Sequence, residues 1–234
     1  MQQIPLLMTR SEEANARFAE ELPSSLSTHF EFISCPLTRI VSLGQQNSMQ
    51  GDGIAIFTSA NGVRFAPPSL RRKAFCVGER TTAKALAAGW QAVCAGQCAK
   101  ELIDHIKNAK PTAPMHHFSG VHVRGEIVEN LTAIGLSVKR IALYDQVLLP
   151  LSQPVSALLS QGLPVVAPLF SPRAAAHFCR VAPSNLQLVL VALSAAVAEA
   201  GQGTICQKWV IADQPNADAM VDCLEKLART MRLG

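Results

Sequence analysis

Ile54-Ala55-Ile56-Phe57-Thr58-Ser59-Ala60-Asn61 returns in pattern about 110 residues later as Val166-Ala167-Pro168-Leu169-Phe170-Ser171-Pro172-Arg173. Each copy is a short apolar strand that ends on a hydroxyl residue, and an internal repeat of this kind decides the architecture before any motif is weighed. A weaker correspondence follows at nearly the same offset. Phe75-Cys76-Val77-Gly78-Glu79-Arg80-Thr81-Thr82-Ala83 matches Val189-Leu190-Val191-Ala192-Leu193-Ser194-Ala195-Ala196-Val197. The opening strand has a partner too: Leu6-Leu7-Met8-Thr9 and its helix resemble His116-His117-Phe118-Ser119-Gly120 and the helix after it, followed by Ser137-Val138-Lys139-Arg140-Ile141.

Around the repeats, strands and helices alternate. The apolar run 4–10 predicts a buried strand, and Ser11-Glu12-Glu13 predicts a helix cap with acids in the first turn. Ala14, Phe18 and Leu22 continue one helical face until Pro23 ends it. A strand is expected over 29–34, extended chain over 35–43 and a polar loop over 44–53. Further on come a strand at 54–57, a turn at 58–62, a strand at 74–77, a turn at 78–80 and a helix at 81–88. Residues 92–94 then precede a helix around 100–106, and 115–118 precede one carrying Ile127, Leu131 and Ile134, closed by Gly135. Strands separated by helices imply βαβ units and a parallel sheet.

The repeat reads as A–B followed by A′–B′, which leaves two ways to build domains. Tandem pairing joins A to B and A′ to B′, whereas an exchange joins A to B′ and encloses B with A′. Two extended stretches rich in apolar and β-branched residues, 36–43 and 140–150, flank the central block and suit a two-stranded connection. The residues alone leave both pairings open.

With 234 residues the chain exceeds a usual single domain of about 150, so two compact domains of about 100 residues each fit. Hydrophobic residues make up 49% and charged residues 16%, enough apolar surface for folded cores. No apolar run reaches the ~18 residues a membrane span needs, and no signal core is present, which predicts a soluble cytoplasmic protein with no membrane partner. The net charge of +4 is scattered and aromatic residues are only 5%, which argues against nucleic acid as a partner.

Seven cysteines form an odd set, mostly inside apolar runs, and read as reduced core residues. Cys94 and Cys98 have no second pair to complete four zinc ligands, and alternation sends the adjacent His116 and His117 to opposite faces of a strand. No metal site is expected.

GxGxxG, GxxxxGK[ST], HExxH and GxSxG are all missing, as is a carboxylate pair placed as acid and base. What remains at the carboxyl ends of the expected strands is a set of hydroxyls and glycines: Thr9, Thr58, Ser59, Gly78, Thr81, Thr82, Ser119, Gly120, Ser171 and Ser194. In doubly wound sheets ligands bind outside those ends, where helix amino termini offer N–H groups to carboxylates. Ser and Thr at such turns are also good helix caps without any ligand.

Phe57-Thr58-Ser59-Ala60-Asn61-Gly62-Val63, then Val77-Gly78 with Thr81 four residues before Ala85-Leu86, then Phe170-Ser171-Pro172, with Tyr144 on the second connecting stretch, together resemble the uroporphyrinogen-III synthase family. The resemblance covers nearly the whole chain. It implies an α/β fold of two similar doubly wound parallel-sheet domains in the exchanged arrangement, joined by a two-stranded β-ladder hinge. The implied domains are 1–35 with 151–234 and 43–142, with hinge strands 36–42 and 143–150. It also implies a monomer without metal or organic cofactor. The implied substrate is hydroxymethylbilane, held between the two lobes and cyclised to uroporphyrinogen III with inversion of the last pyrrole ring through a spiro intermediate.

That chemistry asks for orientation more than acid–base power, since the azafulvene formed on loss of the hydroxyl closes spontaneously to the uninverted isomer. Tyr144, the sole tyrosine, matches the family's hinge tyrosine and is the expected proton donor. The expected substrate contacts are Arg10, Thr58, Ser59, Asn61, Gly78, Thr81, Ser119, Gly120, Ser171, Arg173 and Ser194. Two departures from the family pattern stand out. Leu193-Ser194-Ala195-Ala196 replaces the Gly and Thr of the second repeat, leaving Ser194 to substitute. Asn61 stands where some relatives are basic, while Arg173 takes the corresponding turn of the other repeat. The competing readings are a non-catalytic two-lobed α/β module that binds an anionic small molecule and, less favoured, a nucleotide-dependent enzyme.

Overall fold

In the computed structural model, the described residues are 3–44, 53–123 and 125–231. Most of the polar loop expected over 44–53 lies outside them. The chain begins β1 (Ile4–Met8), α1 (Glu12–Glu21), a 3-10 turn (Ser24–Thr28), β2 (Phe30–Ser34) and β3 (Thr38–Ser42). There follow β4 (Ile54–Phe57), α2 (Ala60–Phe65), β5 (Lys73–Cys76), α3 (Glu79–Ala87), β6 (Gln91–Cys94) and α4 (Ala99–Ala109). Next come β7 (Met115–Gly120), α5 (Ile127–Ala133), β8 (Val138–Leu148) and α6 (Gln153–Ser160). The chain ends with β9 (Val165–Leu169), α7 (Pro172–Val181), β10 (Leu188–Ala192), α8 (Ala195–Ala200), β11 (Lys208–Ile211) and α9 (Ala217–Thr230).

These elements divide into two compact units, Met1–Arg39 with Val147–Gly234, and Ile40–Gln146. The first holds a five-stranded sheet in the order β11-β10-β9-β1-β2, parallel throughout. The second holds a six-stranded sheet, β3-β8-β7-β4-β5-β6, in which β8 through β6 run parallel. The expected connecting stretch 143–150 is thus the distal part of a strand that begins at Val138 and pairs with β7 from its start. The expected turn at 58–62 is also corrected, because the hydroxyl at Ser59 caps α2 directly.

Both sheets are covered on both faces, which is why the inner strands β1, β4, β9 and β10 read as unbroken apolar runs. In β9 and β10 alternate residues divide between two cores. Val166, Val189 and Val191 face Phe18 of α1 and Met220, Leu224 and Leu227 of α9. Val165, Ala167, Leu188 and Leu190 face Leu159 of α6 and Phe178 of α7. The second unit repeats the scheme, with Ala55 and Phe57 against Val63 and Ala85, and Ile54 and Ile56 against Leu102, Ile106 and Leu131.

Pro168 sits unusually in a central strand, where it cannot donate to the ladder. The β1–β9 ladder is correspondingly short, with Leu6 and Val166 its one paired position. Thr9, 2% exposed, donates its hydroxyl to the Pro168 carbonyl and so carries the junction past the end of the ladder. The turn into α1 is tied differently from expectation. Ser11 makes no side-chain cap bond, and Asn15 instead accepts from the Arg10 N–H and donates to the Met8 and Arg10 carbonyls.

Thr9→Val keeps the shape of the side chain but leaves the Pro168 carbonyl buried without its donor. Denaturant titration should show a loss of about 1–3 kcal/mol.

Candidate functional site

In a doubly wound sheet the strand order reverses at one point, and the crevice beyond the strand ends there is where a ligand fits. In the second unit that point lies between β7 and β4, whose carboxyl ends carry Ser119-Gly120 and Thr58-Ser59. Tyr144 belongs to the same rim, because β8 is parallel to β7 and an irregularity at Ser119/Gly120 brings Gly120 into register with Tyr144.

Tyr144 is held at three places. Its hydroxyl lies 2.9 Å from Ser59 Oγ. One side of its ring lies against Gly120, so close that a Cβ there would sit 2.7 Å from Cε2. Phe65 of α2 packs on the ring with centroids 5.8 Å apart. Ser59 itself is fixed as the amino-terminal cap of α2, accepting from Asn61 N–H at 3.2 Å and Gly62 N–H at 3.4 Å. Gly62 has to be small, since a Cβ would fall 2.6 Å from the Phe118 carbonyl oxygen.

Behind this rim lies a polar cluster in which Thr58 and Ser119, both expected contacts, meet His117 and Arg140, for which the sequence suggested no role. Thr58 Oγ1 is 3.2 Å from His117 Nε2. Burial first, and Arg140 next, push the His117 pKa down from 6.5 to about 4, so the imidazole is neutral near pH 7. Ser119 is buried, accepts from Arg140 Nε at 3.1 Å and donates to the Gly120 carbonyl at 3.1 Å. Arg140 Nη2 also donates to the carbonyls of Gly120 at 2.7 Å and Val121 at 2.5 Å. Ser119 and Arg140 therefore buttress the irregular end of β7.

Gly78 caps α3 with φ +77°, a conformation that favours glycine, and its carbonyl accepts from the Thr82 hydroxyl at 3.0 Å. Thr81 is buried in the first turn of α3, and Asn61 is half-buried in that of α2.

In the first unit the corresponding reversal lies between β1 and β9. Ser171 repeats the geometry of Ser59, with φ −152° against −155°, and accepts from Ala174 N–H at 3.2 Å. The Arg10 guanidinium packs over the Phe170 ring, 4.5 Å from its centroid. Arg173 occupies the second position of α7, as Asn61 does in α2, and its Nη1 is buried without a hydrogen-bond partner. Ser194 caps α8 without a side-chain bond. As helix cap it corresponds to Gly78, two positions away from the alignment read in the sequence. Its φ of −161° is ordinary extended backbone, so the turn there has no need of glycine.

All seven cysteines are unpaired, with Cys35, Cys76 and Cys223 buried, and burial raises the Cys35 pKa to about 12 and that of Cys76 to about 11. Cys98 is exposed, and Cys94, Cys179 and Cys206 are half-buried, so only part of the set lies in the core. Among the described residues no group of three or more His, Cys, Asp and Glu is placed to hold a metal ion, and no helix is long and apolar enough to cross a membrane.

A family model described as uroporphyrinogen-III synthase HemD matches residues 16–222. Among solved structures, the chain is similar to the crystal structure of uroporphyrinogen-III synthetase from Helicobacter pylori. The TM-score is 0.68 at 11% identity, over 97% of this chain and 100% of that one. It is also similar to a mutant uroporphyrinogen III synthase from Thermus thermophilus, with a TM-score of 0.55 at 13% identity over 97% and 100%. At such identities the structural likeness speaks for the fold. No match to a curated protein is found.

Gly120→Ala places a methyl group against the Tyr144 ring and should cost about 1–3 kcal/mol of stability. Because Tyr144 is the sole tyrosine, NMR of tyrosine-labelled protein should show its ring signals moved. His117 gives a pH signature. The unfolded chain takes up its proton near pH 6.5 and the folded chain only near pH 4, so its contribution is complete above pH 6.5 and lost as pH falls toward 4. Unfolding free energies measured across that window should drop by up to about 3 kcal/mol on this account, and His117→Gln should flatten that part of the curve.

Proposed function

The chain belongs to the uroporphyrinogen-III synthase family and is an enzyme of that type, and from this premise we propose which of its residues carry the reaction. The activity is the cyclisation of hydroxymethylbilane to uroporphyrinogen III with loss of water. Tyr144 is the proton donor to the leaving hydroxyl. The observation that supports this is the placement of the only tyrosine on the rim beside the strand-order reversal, pinned by Ser59, Gly120 and Phe65.

In the step proposed, the Tyr144 O–H bond breaks and its proton goes to the hydroxymethyl oxygen. The C–O bond then breaks with its electron pair on oxygen, water leaves, and the pyrrole nitrogen lone pair stabilises the cationic azafulvene. The substituted carbon of the last ring attacks the terminal methylene and gives the spiro intermediate. The bond from that carbon to the methylene joining the last two rings then breaks with its electron pair returning to the last ring, which leaves an azafulvene on the neighbouring ring, and the free α-carbon of the last ring attacks that methylene, so the ring closes inverted. A pyrrole carbon sheds a proton as its ring becomes aromatic again, which restores the phenol, so no proton is gained or lost beyond the water released.

Substrate binding is assigned to Thr58, Asn61, Gly78, Thr81, Ser119 and Gly120 in the second unit and to Arg10, Ser171, Arg173 and Ser194 in the first, while Ser59, whose hydroxyl is taken up by Tyr144 and the cap of α2, is set apart from the expected contacts. Arg173 is the strongest of these, because its buried, unpartnered Nη1 suits a carboxylate. Ser119 is the weakest, because its bonds lie within the protein. Family membership disfavours the non-catalytic anion-binding reading. A cytoplasmic location and a monomeric state remain part of the proposal, the odd set of seven cysteines suiting a reducing compartment.

Freshly made hydroxymethylbilane incubated with the protein should yield the type III isomer, and the type I isomer alone would sink the synthase reading. Tyr144→Phe should slow turnover within the ~10²–10⁴-fold that general acid catalysis is worth, and should not abolish it. Complete loss from a normally folded variant would make Tyr144 more central than proposed.

A further inference from the structure

We propose that Ser59 is a positioning residue that donates its hydroxyl proton to the Tyr144 oxygen, which leaves the tyrosine's own proton as the one directed at the substrate. This rests on the reading of Tyr144 as the proton donor and adds to it a direction and a second residue. The argument is a count of protons and lone pairs. A serine hydroxyl has one proton and two lone pairs. Ser59 Oγ accepts from the Asn61 N–H at 3.2 Å and takes the weaker share, at 3.4 Å, of the Gly62 N–H that also bonds the Ser59 carbonyl at 3.0 Å; both groups can act only as donors, so they draw on the lone pairs of Oγ and leave its proton uncommitted. The 2.9 Å contact to Tyr144 Oη is then made by the Ser59 proton.

The consequence falls on the phenol. Its ring is fixed between Gly120 and Phe65, so the oxygen has a set position and the hydroxyl keeps only rotation about the C–O bond. The in-plane orientation toward Ser59 is closed by the serine's own proton. The Tyr144 proton therefore points away from the cap, where no other hydrogen-bond partner for it is found among the described residues. As that proton moves to the leaving oxygen, the hydrogen bond from Ser59 stabilises the charge left on the phenolate oxygen. The helix cap thus sets the polarity of the donor beside it.

The intensity ratio of the tyrosine doublet in ultraviolet resonance Raman spectra reports whether a phenol oxygen accepts or donates, and with one tyrosine in the chain the signal belongs to Tyr144 alone. The wild-type enzyme and Ser59→Thr should show an accepting phenol. Ser59→Ala lacks the donor, while Ser59→Asp can still cap α2 but has no proton to give near pH 7, and both should lose the accepting signature. In steady-state assays Ser59→Ala should lower kcat about 3- to 10-fold with KM unchanged, and Ser59→Thr should restore it. In a Tyr144→Phe background Ser59→Ala should have no further effect on kcat. A wild-type doublet of a donor-only phenol, a doublet unchanged in Ser59→Ala, or equal slowing in both backgrounds would overturn the proposal. Unchanged kcat in Tyr144→Phe alone would overturn the proton-donor reading instead, which the doublet does not report.

Discussion

Two parallel pairings, β1 with β9 and β4 with β7, hold the molecule's organisation, because each joins the two kinds of repeat within one sheet. Read from β2, the first sheet runs β2-β1-β9-β10-β11, and read from β8, the second runs β8-β7-β4-β5-β6. The pair β7–β8 thus takes the place that β1–β2 holds, and β4–β5–β6 the place of β9–β10–β11. One doubly wound plan is built twice, once from contiguous chain and once from the two ends. The entropy of closure does little to oppose this. Leu6 pairs with Val166 and Ala55 with His116, and because closure entropy grows with the logarithm of separation, the longer loop costs only about 1 kcal/mol more. Packing decides, and both sheets bury both faces.

The same pairings place the chemistry. A reversal of strand order leaves a crevice, and in each unit the second residue after the strand there is a serine capping a helix, Ser59 or Ser171. The two rims then differ in what surrounds the cap. Ser59 has a tyrosine beside it and a neutral histidine behind the preceding threonine. Around Ser171 the charge is carried by Arg10 and Arg173. The tyrosine belongs to one rim, whose Arg140 is taken up by Ser119 and the carbonyls of Gly120 and Val121, while the other rim carries Arg173 with its Nη1 unpartnered.

How much of this could be read from residues alone depended on how local the signal was. Strand, hydroxyl and helix follow one another within a few positions at 54–61 and 166–173, so the repeat and its caps were legible. Ser11 is a residue type that caps helices, yet Asn15, four residues on, performs the tie, a choice made by the carbonyls of Met8, which is buried, and of Arg10. Gly78 was aligned two positions off its structural counterpart Ser194, because one turn uses a positive φ and the other does not. β11 went unread, since Lys208-Trp209-Val210-Ile211 is only four residues long and, at a sheet edge, opens on a lysine. α9 went unread although Met220, Cys223, Leu224 and Leu227 carry a clear helical period. The contact of Tyr144 with Gly120 was beyond reach from sequence, because it depends on an irregularity in the β7–β8 register.

A rim like that of the second unit, which offers neutral hydroxyls and no acid–base pair, suits a reaction whose difficulty is choice. The activated bilane closes without help to the uninverted ring, so the enzyme has to favour one closure over another, and each tenfold of preference corresponds to about 1.4 kcal/mol. A neutral hydrogen bond contributes about 1 kcal/mol net, which means that two or three contacts made only in the inverted geometry supply a preference of about a hundredfold. A strong acid–base pair would speed loss of the hydroxyl equally for both outcomes and add nothing to that choice. A phenol with its oxygen fixed and its proton aimed starts the reaction and leaves the choice to the contacts that hold the two chain ends, and it is held locally by one glycine, one phenylalanine and the cap of a short helix.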